Sequence, residues 1–225
     1  MIKTLELFAG SKSFSKVADT LGFETFSIDN INYEKIDLVK DIEFLQKKDI
    51  HFIPDIIWIS PPCTSFSIAG IRYHRNGQFP ISNFAKKSDR LLKKCLEVIS
   101  WFPNAIFYIE NPRGMLRKMD YMKKLNRKTI CYCKYGDNRM KPTDIWTNDI
   151  NWVPRPMCHN HKYDRNGNII NRHCHHESAR RGAKTGTQGL KNKYEKSKIP
   201  QALFYELLID KQKKEGKKNV ENNNK

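Results

Sequence analysis

The sequence has no apolar run long enough to cross a membrane, so no membrane span is expected. It offers no leader either: Met1-Ile2-Lys3-Thr4-Leu5-Glu6 enters a strand directly, without the basic region and apolar stretch of a signal peptide. Glycine is scarce, 11 in 225 residues, and Gly10 stands alone where a dinucleotide-binding turn needs three. A single glycine there suits a cofactor with no pyrophosphate to cradle. The six cysteines, at positions 63, 95, 131, 133, 158 and 174, are too scattered for a disulfide framework in a chain of this length. A reducing, intracellular setting follows. Acidic residues are outnumbered, 24 against 41 Lys and Arg.

What is present is positive charge, unevenly spread. The formal net charge is +17. Residues 155–198 hold eleven Lys and Arg against Asp164, Glu177 and Glu195, a net +8. The tail from Lys211 to Lys225 holds six lysines against two glutamates, a further +4. The tail's Lys and Asn bias is compositional, and it is expected to be disordered. The arginines at 155, 165, 172, 180 and 181 form a basic patch, the electrostatic footprint of a polyanion partner, so a nucleic acid is expected.

The length fits one sizeable α/β domain with a small appendage. Lys3–Phe8 reads as a buried strand, Ala9-Gly10-Ser11 as a turn, and Phe14–Leu21 as a helix stopped by Gly22. Glu24–Ile28 reads as a second strand ending at Asp29-Asn30. Strand, glycine turn, helix, strand and acidic residue is the order of a nucleotide-binding βαβ unit. Asp55–Ile59 is a further strand, stopped by Pro61-Pro62, with Cys63 immediately after. Ligands of open α/β sheets bind beyond the carboxyl ends of the strands, which makes Cys63 a candidate nucleophile, although a cysteine at a strand end is also commonly buried and inert.

Ser65–Ser82 reads as an irregular loop carrying Arg72, His74 and Arg75, suited to a lid over substrate. Asn83–Trp101 has helical periodicity, and Ala105–Ile109 is another apolar strand, ending at Glu110-Asn111-Pro112. Two buried strands thus run into proline-bearing turns at one sheet edge, presenting Cys63 and Glu110. A carboxylate in that position loses solvent and has its pKa raised, as a general acid requires. Thr129–Cys133 and Ile145–Thr147 are expected strands, with Cys95, Cys131 and Cys133 expected as packing residues.

With these residues in place, the sequence resembles the 5-methylcytosine (cytosine-C5) DNA methyltransferase family. Leu7-Phe8-Ala9-Gly10 is similar to the family's cofactor motif, Pro61-Pro62-Cys63-Thr64-Ser65-Phe66-Ser67 to its nucleophile motif, and Glu110-Asn111-Pro112 to its acid motif. Lys141-Pro142-Thr143 and Gly186-Thr187-Gln188-Gly189-Leu190 resemble segments of the short members found in phages and prophages. Three departures stand out. The family's second glycine is Lys12 or Ser13 here, valine of the acid motif is Pro112, and its paired arginines after Gly136 are replaced by Lys141 and Thr143, with Arg139 nearby.

The resemblance implies a Rossmann-like, S-adenosylmethionine-dependent methyltransferase fold with a mostly parallel sheet. The implied division is a catalytic domain over residues 1–150, a basic target-recognition segment over 151–197, a returning helix over 198–210 and a disordered tail over 211–225. It implies a monomer acting on double-stranded DNA in the cytoplasm of a bacterial or phage-infected cell. A tRNA cytosine-5 methyltransferase and a catalytically inert nucleic-acid-binding relative are the alternatives. By resemblance, Cys63 adds to carbon 6 of cytosine, Glu110 holds ring nitrogen 3, and Arg139, Lys141 or Thr143 meets the carbonyl oxygen. Phe8, Ala9, Gly10, Ser11, Asp29, Asn30, Asp41, Ile42 and Pro61 are the implied cofactor-binding residues. Ser65, Arg72, Arg75, Arg180, Arg181 and Lys184 are the expected nucleic-acid contacts. The arginines at 72, 75 or 139 are expected to favour the Cys63 thiolate.

Within the basic segment, Cys158-x-x-His161 and Cys174-x-His176 have the spacing of a mixed-ligand zinc knuckle, with a hairpin turn at Asp164–Asn168 between the pairs. A structural zinc held by Cys158, His161, Cys174 and His176 is the expectation. It would staple a segment too small and polar to form a core.

Overall fold

The computed structural model describes residues 1–33, 35–159, 161–166, 168–176 and 192–223. Its elements follow in order: β1 (Lys3–Leu7), α1 (Ser13–Thr20), β2 (Glu24–Asp29), β3 (Leu38–Val39), β4 (Ile56–Ile59), α2 (Ile71–His74), β5 (Arg75–Asn76), β6 (Phe79–Pro80) and α3 (Asn83–Trp101). Then come β7 (Ile106–Pro112), α4 (Asp120–Lys123), β8 (Arg127–Cys131), β9 (Pro142–Thr147), β10 (Lys162–Tyr163), β11 (Ile169–Asn171), α5 (Lys193–Ser197) and α6 (Gln201–Asn223). Seven strands form one sheet in the order β3-β2-β1-β4-β7-β9-β8. The first five are mutually parallel, and β9 alone runs against them, pairing antiparallel with both β7 and β8. This is the mixed, mostly parallel sheet expected of the fold.

The central strands are buried on both faces, which is why they read as near-continuous apolar runs. On one face Leu5, Leu7, Ile57, Ile59, Phe107 and Ile109 pack against Leu92, Cys95 and Val98 of α3. On the other, Trp58 and Tyr108 meet Phe14 and Val17 of α1 and Leu203, Phe204 and Leu207 of α6. The order of strands across the sheet reverses at β1, with β2 on one side and β4 on the other. A crevice therefore opens beyond the carboxyl ends of β1 and β4. The register aligns Leu7 with Ile59 and Ile59 with Ile109. Phe8, Ser60 and Glu110 are consequently the next residues along three adjacent strands.

Four expectations change. β7 does not end before Glu110 but continues through Pro112, because β9 pairs with it as far as Pro112↔Thr143 after β4 has stopped. The segment 65–82 is not wholly irregular: it holds α2 and the β5–β6 ribbon, pinned by packing that no local periodicity announces. Cys133 does not continue β8, which ends at Cys131, but lies in a tight turn over Tyr132–Tyr135 closed by Gly136 at φ +89°. The final helix does not stop near residue 210. It runs to Asn223 as one continuous α6, its packed first turns extended by Lys and Glu residues that favour helix.

Candidate active site

The loop after β4 is held from three sides. Phe66 and Ser67 donate their N–H groups back to the Cys63 carbonyl, at 3.0 and 2.9 Å. The Asn111 side chain of β7 donates to the Pro61 carbonyl at 3.1 Å, while its buried Oδ1 has no hydrogen-bond partner. Gly114 lies so close that a Cβ there would stand 2.3 Å from the Phe66 carbonyl oxygen, and Met115 N–H donates to the same oxygen at 2.7 Å. The Cys63 position is thus fixed by neighbours from β7 and the turn after it.

A cavity of about 180 Å³ opens at this edge. Its walls include Phe8, Ala9, Gly10 and Ser11 after β1, Pro61 and Cys63 after β4, Glu110 and Pro112 of β7, and Lys141. Lys196, Ser197 and Ile199 close it from the C-terminal side. Two of its wall residues, Phe8 at φ +57° and Lys141 at φ +27°, have left-handed backbones that non-glycine residues rarely adopt.

Glu110 is buried at 5 % exposure. Tyr132 donates its hydroxyl to Glu110 Oε1 at 2.8 Å, and Lys141 Nζ stands 3.7 Å from the same oxygen. Burial and the neighbouring Glu110 carboxylate hold the Tyr132 phenol protonated, so it remains a donor. Lys141 Nζ also lies 3.3 Å from the Tyr132 hydroxyl and 4.4 Å from the centre of its ring. Cys63 is half-buried. Burial pushes its thiol above the ordinary value, Lys141 pulls it down, and Glu110 pushes it further up.

The cation facing the thiol is therefore Lys141, and the expectation for the arginines is corrected. The Arg75 side chain is buried against Asp89 and donates to the Ser65 carbonyl at 3.0 Å, which makes it a strut inside the loop. Ser65 is itself fully buried, so its side chain is not presented to solvent. Arg139 is bound to Asp137 and donates to the carbonyls of Lys196 and Lys198, at 3.2 and 2.9 Å. Its guanidinium thus holds the cavity's C-terminal wall in place. Arg72 is exposed beside Tyr73. Thr143 is buried, and its hydroxyl donates to the Lys141 carbonyl at 3.0 Å. Arg180, Arg181 and Lys184 lie outside the described residues.

On the cofactor side, Asp29 accepts from the N–H groups of Gly10 at 2.9 Å and Ile31 at 3.0 Å, one on each oxygen. It ties the turn after β1 to the end of β2 while keeping lone pairs for a further donor. Asn30 is exposed beside it. Asp41 accepts from Glu43 N–H and pairs with Lys87 at 2.7 Å, and Ile42 is a core residue. Neither lines the cavity. Glu6 does, and the sequence reading passed over it. Its carboxylate, in mid-strand, accepts from Ser15 N–H at 2.9 Å, Ser15 Oγ at 2.6 Å and Phe14 N–H at 3.4 Å. Burial lifts its pKa to about 7. The available signal was an acid at the centre of Leu5-Glu6-Leu7, in a strand that reads as buried, where cover on both faces leaves no solvent.

Three of the four expected metal ligands come together, and the fourth is corrected. Cys133, Cys158, Cys174 and His176 bring one ligand atom each within 4.8 Å of one another. His161 is not in the group: its Nδ1 accepts from His173 N–H and its Nε2 faces the His176 carbonyl at 3.1 Å, with the two rings stacked. Cys133, expected as a packing residue, takes its place because the turn after β8 points it toward the basic segment.

The family model described as C-5 cytosine-specific DNA methylase matches residues 2–131. A "Probable DNA (cytosine-5)-methyltransferase" of Frog virus 3 (isolate Goorha) is 26% identical over 226 residues, covering 92% of this chain and 99% of its own. Among solved structures, a "putative DNA modification methyltransferase encoded within prophage" of E. coli aligns with a TM-score of 0.51 at 14% identity, over 70% of this chain and 52% of its own. The S. pombe Dnmt2 methyltransferase aligns with a TM-score of 0.44 at 15% identity, over 69% and 52%. The chain spans about half the length of these solved structures.

Proposed function

We propose, of a chain that belongs to the C-5 cytosine-specific DNA methylase family, that it transfers a methyl group from S-adenosylmethionine to carbon 5 of a cytosine in double-stranded DNA. The observation that carries the reading is one cavity walled by the Cys63 thiol, the Glu110 carboxyl and the Lys141 ammonium, beside the turn after β1. The residues at that turn suit the cofactor: an aromatic ring at Phe8, small residues from Ala9 to Ser11, and the Asp29 carboxylate for ribose hydroxyls. S-adenosylmethionine supplies an electrophilic methyl group there.

The chain's own groups do the rest. Cys63, as thiolate, adds to carbon 6, forming a carbon–sulfur bond and pushing the ring electrons toward carbon 5 and nitrogen 3. Glu110, held by Tyr132, donates a proton to nitrogen 3 so that the ring can accept those electrons. Carbon 5 then takes the methyl group. Loss of the carbon 5 proton to a base expels the Cys63 thiolate, and return of the nitrogen 3 proton to Glu110 restores the ring and the acid, splitting one hard substitution into easier steps. Lys141 favours the attacking thiolate, and its ammonium on the cavity wall supports the reading in which it meets the cytosine carbonyl oxygen. A stacked base hides carbon 6, so the target nucleotide leaves the helix, at a cost of a few kcal/mol. The net +8 of residues 155–198 supports DNA as the polyanion. A monomer inside the cell is sufficient for this chemistry.

Bisulfite sequencing of DNA from cells expressing the protein tests the reading. Protected cytosines in a fixed sequence context are expected, and none with Cys63→Ala. Protection absent from DNA while purified protein methylates tRNA would move the substrate to RNA. Activity on neither would support an inert relative.

A further inference from the structure

Among the described residues, the ribbon inside the basic segment has little regular structure to hold it. Its strands β10 and β11 are two and three residues long, and a ribbon of that size is not stable alone. Yet Cys158 and His176 are buried, at 7 % and 2 % exposure, and both lie against Cys133 of the main body. Three thiols and one imidazole meet there, with Cys158 Sγ 3.6 Å from His176 Nδ1. Three sulfurs and a nitrogen are a soft, tetrahedral donor set of the kind that selects zinc. With zinc–sulfur bonds of about 2.3 Å, tetrahedral ligand sulfurs stand roughly 3.8 Å apart, so the group needs to contract by about 1 Å at its widest.

We propose that Cys133, Cys158, Cys174 and His176 hold a structural zinc ion that staples the basic segment to the turn carrying Tyr132. Three thiolates against the ion's two positive charges leave one net negative charge in a strongly basic region. His161 serves behind the ligands. It stacks on the His176 ring at 4.2 Å and faces the His176 carbonyl, fixing that imidazole's orientation as outer groups do around metal-bound histidines. The site has a consequence for the main body. Cys133 directly follows Tyr132, whose hydroxyl holds Glu110, so one short turn carries both a zinc ligand and the partner of the proposed acid.

Metal content and cobalt substitution of the full-length protein test this without reference to methylation. Protein purified under reducing conditions without chelator should carry one zinc per chain. Its cobalt form should show a thiolate charge-transfer band of three-thiolate strength. Cys133→Ser should reduce that band by about a third, and His161→Ala should leave it unchanged. Should Cys133→Ser disturb folding, hydrogen exchange on the unaltered protein gives the second reading. Removing the metal should cost protection in residues 157–176 and 132–135 while β1, β4 and β7 keep theirs. Protein that carries no zinc and takes up no cobalt overturns the site. A band undiminished in Cys133→Ser, or lost in His161→Ala, overturns this ligand set. Unchanged exchange on metal removal overturns the staple.

Discussion

Cys63 and Lys141 illustrate how a thiol can be activated by a single cation inside a wall that otherwise resists ionisation. Burial and Glu110 both raise the thiol's pKa, and Lys141 alone among the named side chains opposes them. The rate should therefore climb with pH through the neutral range, as thiolate accumulates. Removing the ammonium in Lys141→Met raises the thiol further and shifts the profile to higher pH. Methyl transfer at pH 7 should fall by tenfold or more, with part of the loss recovered at pH 9. A uniform loss at every pH would assign Lys141 to contacts with the base alone. Cys63 and Glu110 were legible because each comes soon after an apolar run, Ile56–Ile59 and residues 106–109, with a proline within two residues. Tyr132 was not, since an aromatic residue between two cysteines reads as core until the partner strand is known. Arg75 and Arg139 misled for the opposite reason: sequence gives charge, but not whether Asp89 or Asp137 already neutralises it.

Among the elements, β1 and α1 show how an acid in a buried strand can serve a helix. The Lys12 N-cap provides no side-chain cap, and Glu6 satisfies the first free N–H groups from below. Burial still dominates, and the carboxyl titrates near 7 rather than near 4.5. The unfolded chain therefore ionises Glu6 as pH rises through 4.5, while the folded chain keeps its proton until about 7. Stability that is fully present at low pH is lost across that window, on the order of 3 kcal/mol. Glu6→Gln does not titrate, so its melting temperature relative to the unaltered protein should rise between pH 5 and pH 8. A difference that stays flat, or falls, would mean that the ionised carboxylate is favoured in the fold. The parallel strands and α3 were readable from composition and period. The extension of β7 and the α2–β6 region were not, because both depend on pairing with residues far along the chain.

For the molecule as a whole, the reacting edge is closed by distant sequence. Lys196, Ser197 and Ile199 complete a wall begun at Phe8, and Ile199 N–H donates to Ser13 Oγ across 186 positions. Arg139 fastens that wall, and Lys211 on α6 pairs with Asp149 at 2.7 Å. A return of the chain near Ile199 was legible as an apolar stretch after a polar one, but its contact with the cofactor turn was not. Everything proposed for this edge rests on Cys63 bonding to cytosine carbon 6. Duplex DNA containing 5-fluorocytosine tests that bond directly, because fluorine cannot leave as a proton does and the adduct cannot resolve. With S-adenosylmethionine present, the account predicts a denaturation-resistant protein–DNA complex whose modified peptide carries the DNA on Cys63, and none for Cys63→Ala. A protein that methylates ordinary cytosine yet forms no such complex, or forms it through another residue, would contradict the account.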